Sequence, residues 1–108
     1  MFRVRVVNNC VYLEKKSVFK ILNITSPSHI AYRAIDKALE QGKVCVDDSF
    51  LYEGRRRSFM STKALRVLAE NDVEKSTEIN LTLDDLDSRC ESLKVNRVLK
   101  LGDPFNDM

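Results

Sequence analysis

Three consecutive guanidinium groups, Arg55-Arg56-Arg57, follow Gly54 in this chain of 108 residues. Adjacent like charges repel, so their concentration is easiest to understand where a polyanion neutralises them. Arginine suits that task, because its planar fork meets phosphate oxygens or a guanine edge with two hydrogen bonds. Gly54 lets the backbone turn sharply just ahead of them. Lys15, Lys16 and Lys20 extend the basic set, together with Arg3, Arg5 and Lys63. The pattern points to a nucleic acid and leaves DNA and RNA open. Its bland counterpart is a solvated hairpin tip in which Arg57 pairs with an acid.

Other chemistry is thinly represented, and the chain reads as a non-enzyme. His29 is the one histidine and falls in the first turn of a predicted helix, with no nucleophile motif beside it. Asp47-Asp48 is a carboxylate pair without a third acidic ligand nearby, which reads as an element end meeting solvent and not as a metal site. No GxxxxGK[ST] or GxGxxG loop occurs, so no nucleotide cofactor is expected. The three cysteines, Cys10, Cys45 and Cys90, have neither metal-ligand nor CxxC spacing. Cys10 and Cys45 sit in apolar runs and read as small buried hydrophobes in a reducing compartment.

Charge is distributed unevenly along the chain. Residues 1–66 hold 13 Lys/Arg against 6 Asp/Glu, whereas residues 67–108 hold 5 against 10. A basic core over 1–69 and an acidic extension over 70–108 follow from that division. The basic part calls for an anionic partner, which the acidic part would repel, compete with or leave alone. No run approaches the roughly 18 apolar residues of a membrane span. The sequence Met-Phe-Arg-Val-Arg-Val-Val is too charged for a signal peptide, so a cytoplasmic setting is expected.

The elements that must position the basic residues can be read from periodicity. Phe2, Val4 and Val6 alternate with Arg3 and Arg5 as in a half-buried strand, Asn8-Asn9 turns, and Cys10 to Leu13 returns, giving a hairpin. Glu14-Lys15-Lys16 reads as a charged turn, and Val18 to Ile24 fits strand and helix equally. Ala31, Ala34, Ile35, Ala38 and Leu39 form one face of a helix that Ser26 or Ser28 caps and Gly42 stops. Val44-Cys45-Val46 reads as a buried strand, 48–54 as a loop, and Ser58-Phe59-Met60 as a further strand. Lys63 to Ala69 is a strand or a helix packed on the sheet. Thr82-Leu83-Asp84-Asp85 looks like a capping start, with Leu83, Leu86, Cys90 and Leu93 at helical spacing, for a helix over about 83–100 that Gly102-Asp103-Pro104 ends. The expected fold is α+β, a small mainly antiparallel sheet with one central helix and an appended C-terminal helix.

Two resemblances sharpen the functional expectation. The order Val6-Val7-Asn8-Asn9-Cys10-Val11-Tyr12, Ile24-Thr25-Ser26-Pro27, Arg33-Ala34-Ile35 to Gly42, Val46-Asp47, Tyr52 and Gly54-Arg55-Arg56-Arg57 resembles the RemA-like bacterial regulatory proteins. That resemblance implies a DNA-binding regulator of biofilm matrix genes, assembled as a homo-oligomeric ring whose basic rim engages DNA. It places Arg55 and Arg56 at the family's DNA-contacting pair and Lys20 where a further contacting arginine stands. The stretch Ala34-Ile35 to Leu39 followed by Gly42-Lys43-Val44-Cys45-Val46-Asp47 is similar to S4-type RNA-binding domains, which would make Lys15 to Leu22 helical. The expected function is a DNA-binding regulatory protein acting on double-stranded DNA. An S4-type RNA-binding module is the alternative, as is a protein-interaction domain using the acidic C-terminal helix.

Overall fold

Alternation of valine with arginine produces the first strand, β1 (Phe2–Val7), which pairs antiparallel with β2 (Cys10–Glu14). Asn8 and Asn9 join them with φ of 51° and 62°, the double left-handed step of a type I′ hairpin turn. This is a computed structural model, and it describes residues 2–25, 27–71, 74–93 and 98–99. A 3₁₀ turn (Lys15–Ser17) and the short α1 (Val18–Ile21) follow, so the ambiguous stretch resolves as helical. Next comes α2 (Ser28–Glu40), which buries Ala31, Ile35 and Ala38. Pro27, and not a serine side chain, occupies its N-cap; Ser26 lies outside the described residues.

Gly42 stops α2 as expected, with φ of 73°. The Gly42 N–H donates to the Leu39 carbonyl at 3.2 Å and the Lys43 N–H to the Ala38 carbonyl at 2.9 Å, which together make a Schellman motif. The strand expected at Val44 to Val46 does not form. After the motif the chain bends through Lys43 and Val44 and enters a 3₁₀ turn (Val46–Asp48), closed by the Ser49 hydroxyl donating to the Cys45 carbonyl. Cys45 is consequently exposed and Cys10 only half-buried, so neither is the buried hydrophobe that its apolar neighbours suggest.

The expected loop over 48–54 instead contains β3 (Phe50–Glu53), which pairs with β4 (Arg56–Ser61) across a tight turn at Gly54-Arg55. The sheet order is β3-β4-β2-β1-β5, all antiparallel and curled, where β5 is the two-residue Val98–Leu99 paired to β1. From β4 the chain passes directly into α3 (Thr62–Asn71), whose Ala64 N–H is capped by the Ser61 hydroxyl at 3.2 Å.

The acidic segment contributes α4 (Ser76–Ser88) and α5 (Cys90–Leu93). Helix therefore begins before residue 83, and 98–99 are strand; residues 94–97 and 102–104 lie outside the described residues. Thr82 is no cap. Its hydroxyl donates to the Glu78 carbonyl inside α4. Of the residues at helical spacing, Leu83, Leu86 and Leu93 are fully buried and, with Ile79, join Val4, Leu13, Met60 and Leu65 in one core, while Cys90 is half-buried against it. Arg66 of α3 fastens this layer, with one nitrogen 2.7 Å from Asp84 and 2.8 Å from Asp87. The fold is α+β: helices cover one face of the sheet, and the other face carries Arg3, Arg5, Glu14 and Phe59. No described helix is long and apolar enough to cross a membrane.

Candidate nucleic-acid interface

The β3–β4 hairpin presents the arginine run. Gly54 has φ of 62°, which a two-residue turn such as type II′ requires at its first central position. Pairing runs Leu51↔Phe59, then Tyr52↔Arg57, then Glu53↔Arg56, so β4 spends one extra residue, Ser58, between the first two pairs. This bulge inverts the alternation beyond Ser58. Arg57 is turned to the helix side, where its guanidinium lies 4.2 Å from the Phe50 ring centroid and 3.1 Å from Asp36 of α2. Arg56, opposite Glu53, falls on the other face with Arg3. Arg55 occupies the turn itself.

The hairpin tip, the 3₁₀ turn after β2 and the start of β1 enclose an open groove of about 790 Å³. Arg55, Arg56 and Arg57 line it with Lys15, Lys16 and Arg3. Tyr32 of α2 closes one wall, and the Lys15 ammonium sits 4.7 Å from its ring centroid. Six cations thus share the groove with two carboxylates, Glu14 and Glu53.

These cations are not equivalent. Arg3 donates from Nε to Glu14 at 2.8 Å and from a terminal nitrogen to Glu53 at 3.1 Å. Both bonds hold its guanidinium above its ordinary value, the Glu14 bond most strongly, against some loss of hydration. Glu14 is buried, which pushes its carboxyl up. Hydrogen bonds from the Arg3 side chain, Lys16 and the Arg3 N–H outweigh this and leave it below the usual range. Arg57 is held above its ordinary value by the Tyr52 hydroxyl and, less strongly, by Asp36, against the lowering effect of partial burial. Its pairing is the one the bland reading of the run anticipates. Arg55 and Arg56 are exposed, and among the described residues no carboxylate lies within ion-pair distance of either. The groove therefore offers two free guanidinium forks, flanked by ammonium groups that are weakly held.

Of the nine basic residues singled out from the sequence, the structure brings together Arg55, Arg56, Arg57, Lys15, Lys16 and Arg3. Lys20 stands exposed on α1 and does not line the groove. Lys63 faces a different cleft, where it pairs with Asp48 at 3.6 Å. Sequence reasoning missed Tyr32, Glu14 and Glu53. Glu53 was within reach, since a two-residue turn at Gly54 places it opposite Arg56, where cross-strand side chains interact. His29 is exposed in the first turn of α2, as its position implied. Among the described residues, no group of three His, Cys, Asp or Glu is placed to hold a metal ion. The chemistry available here is the binding of anions.

No protein-family model matches the chain, and no curated protein or solved structure matches it. Residues 15–21 are helical, the state that the S4-like pattern calls for. The strand that the S4-like Gly42-to-Asp47 pattern calls for is absent, because 43–48 form bends and a 3₁₀ turn.

Proposed function

We propose that this protein binds nucleic acid, and duplex DNA in preference, by laying the β3–β4 hairpin against the duplex as a DNA-binding regulatory protein. The observation that carries the reading is the pair Arg55 and Arg56, exposed and free of carboxylate partners at a hairpin tip, with Lys15 and Lys16 in the same groove. A two-stranded ribbon fits the B-form major groove, where arginine forks reach phosphates or guanine edges. The deep, narrow major groove of A-form RNA does not admit one. Arg57 acts as a strut in this reading. Its pairing with Asp36 and its seat on Phe50 fix the hairpin to α2, so less orientational freedom is lost on binding. A homo-oligomer, as the RemA-like resemblance implies, would raise the affinity of so small a contact through effective concentration.

The test is a titration of wild type and Arg55→Ala/Arg56→Ala against duplex DNA and structured RNA over a range of salt. If Arg55, Arg56, Lys15 and Lys16 each neutralise one phosphate, log K for duplex falls with log salt at a slope of about −3.6, and the double variant gives about −1.8. Between 50 and 200 mM salt, affinity would then drop roughly 150-fold for wild type and about 12-fold for the variant. Equal slopes, or a preference for RNA, would sink the duplex reading.

A further inference from the structure

Arg3 and Glu53 occupy an unusual position relative to the open space on the sheet. Both line the basic groove, and both also line a second cleft of about 290 Å³ that continues over the sheet toward Arg5. Their ion pair, 3.1 Å long with the two side chains 52% and 55% exposed, lies where the linings of the two spaces meet. Arg3 belongs to β1 and Glu53 to β3, strands at opposite ends of the β3-β4-β2-β1 series, so the pair spans the curled face. The Arg3 and Arg5 guanidiniums lie 5.2 and 5.7 Å from the Phe59 ring centroid. The second anchor of Arg3 is of a different kind. Glu14 is buried, and its bonds to Nε and to the Arg3 N–H keep the arginine stem in place whatever the outer nitrogen does.

We propose, on top of the nucleic-acid reading, that Arg3 is a further phosphate-contacting residue which exchanges the Glu53 carboxylate for a backbone phosphate when nucleic acid enters the groove. An exposed Arg–Glu pair contributes little on its own, because water and salt screen both partners. A phosphate presents the same fork-shaped acceptor to the freed guanidinium edge. Glu14 holds the arginine stem through the exchange, so the contact needs no ordering of a loose side chain. Departure of the Glu53 carboxylate joins the groove to the cleft and carries the anion track from the hairpin tip to Arg5. The exchange also selects for polyanions. A lone phosphate must displace Glu53 unaided, whereas a strand already held by Arg55 and Arg56 brings its next phosphate to Arg3 at high effective concentration.

The experiment measures salt slopes of duplex-DNA binding for full-length wild type, Arg3→Gln, Glu53→Gln and Arg55→Ala/Arg56→Ala, each first checked for folding by circular dichroism. Exchange adds Arg3 to the four contacts counted above, so wild type falls at a slope of about −4.5, and Arg3→Gln is shallower by about 0.9 because that contact is lost. It predicts that Glu53→Gln binds several-fold more tightly at an unchanged slope, since Arg3 is already in contact in wild type. A wild-type slope for Arg3→Gln would overturn the proposal. Should Arg3→Gln fail to fold, Glu53→Gln decides alone: a slope steeper by about 0.9 would mean that wild-type Arg3 stays on Glu53. A shallower slope in Arg55→Ala/Arg56→Ala with an unmoved Arg3→Gln slope defeats this inference and leaves the nucleic-acid reading standing. Absence of salt-dependent binding by wild type defeats both.

Discussion

Removing residues 72–108 is expected to unfold the protein, not to liberate a basic domain from an acidic tail. The four apolar side chains that α4 and α5 contribute, Ile79, Leu83, Leu86 and Leu93, are each 0% exposed. Burial of a side chain of that size stabilises a fold by about 1.5–3 kcal/mol, so the four together supply about 6–12 kcal/mol. Domains of this length have a net stability of only about 5–15 kcal/mol. Truncation also strips Leu65 and Leu68 of α3 of their cover and leaves Arg66 without Asp84 and Asp87. The assay is a urea titration followed at 222 nm on full-length protein and on residues 1–71. The full chain should show one cooperative transition and the fragment none. A graded version uses Leu83→Ala, expected to cost about 2–5 kcal/mol. Leu81→Ala, two positions away but 63% exposed, should stay within about 0.5 kcal/mol of wild type. A fragment that melts cooperatively near the full-length midpoint, or equal effects at 81 and 83, would refute the shared core. The same arithmetic means that competition between α4 and nucleic acid has to be tested by charge substitution, since truncation removes the scaffold with the charge.

Two further expectations concern stability. Gly42→Ala and Gly54→Ala should each destabilise by about 1 kcal/mol by thermal or urea unfolding, because a Cβ meets nothing within 4 Å at either site and the cost is that of a positive φ alone. Glu14 has a folded pKa below its model-compound value of 4.5, so its contribution is fully present above that pH and is lost as pH falls through the folded value. Glu14→Gln should therefore flatten the acid limb of a stability-versus-pH curve, and an unchanged limb would show that other carboxylates dominate it.

What could be read from the sequence followed from local chemistry. The first hairpin was legible because valine alternates with arginine and paired asparagines accept positive φ. Helix α2 was legible from one apolar face and a glycine stop. Val44-Cys45-Val46 misled because three apolar residues carry no usable period, and after a Schellman motif the chain turns away from the sheet. Phe50 to Glu53 went unrecognised because its polar lead-in, Asp47-Asp48-Ser49, gives the whole stretch the look of a loop. Leu83, Leu86 and Leu93 announced a buried helical face, but the Thr82 hydroxyl, bonded within the helix, imitated a helix start. At the site, the arginine run and Lys15-Lys16 were visible as charge. The pairings of Glu14 with Arg3, Asp36 with Arg57 and Tyr32 with Lys15 were not, since each spans a separation that only the folded chain closes.

The extra residue in β4 has a consequence for how the arginine run should be understood. Three identical letters in a row suggest three interchangeable cations, yet Ser58 divides them by parity into an outward group and an inward strut. Which arginine faces solvent is set by counting residues back from Phe59, and not by any property of the arginines themselves. A ladder that took in Ser58 as an ordinary paired residue would exchange the faces of Arg56 and Arg57 with composition and net charge untouched, whereas deleting Ser58 would remove the bulge and keep Arg57 opposite Tyr52 and Arg56 opposite Glu53. The bulge is, in that sense, part of what shapes the groove.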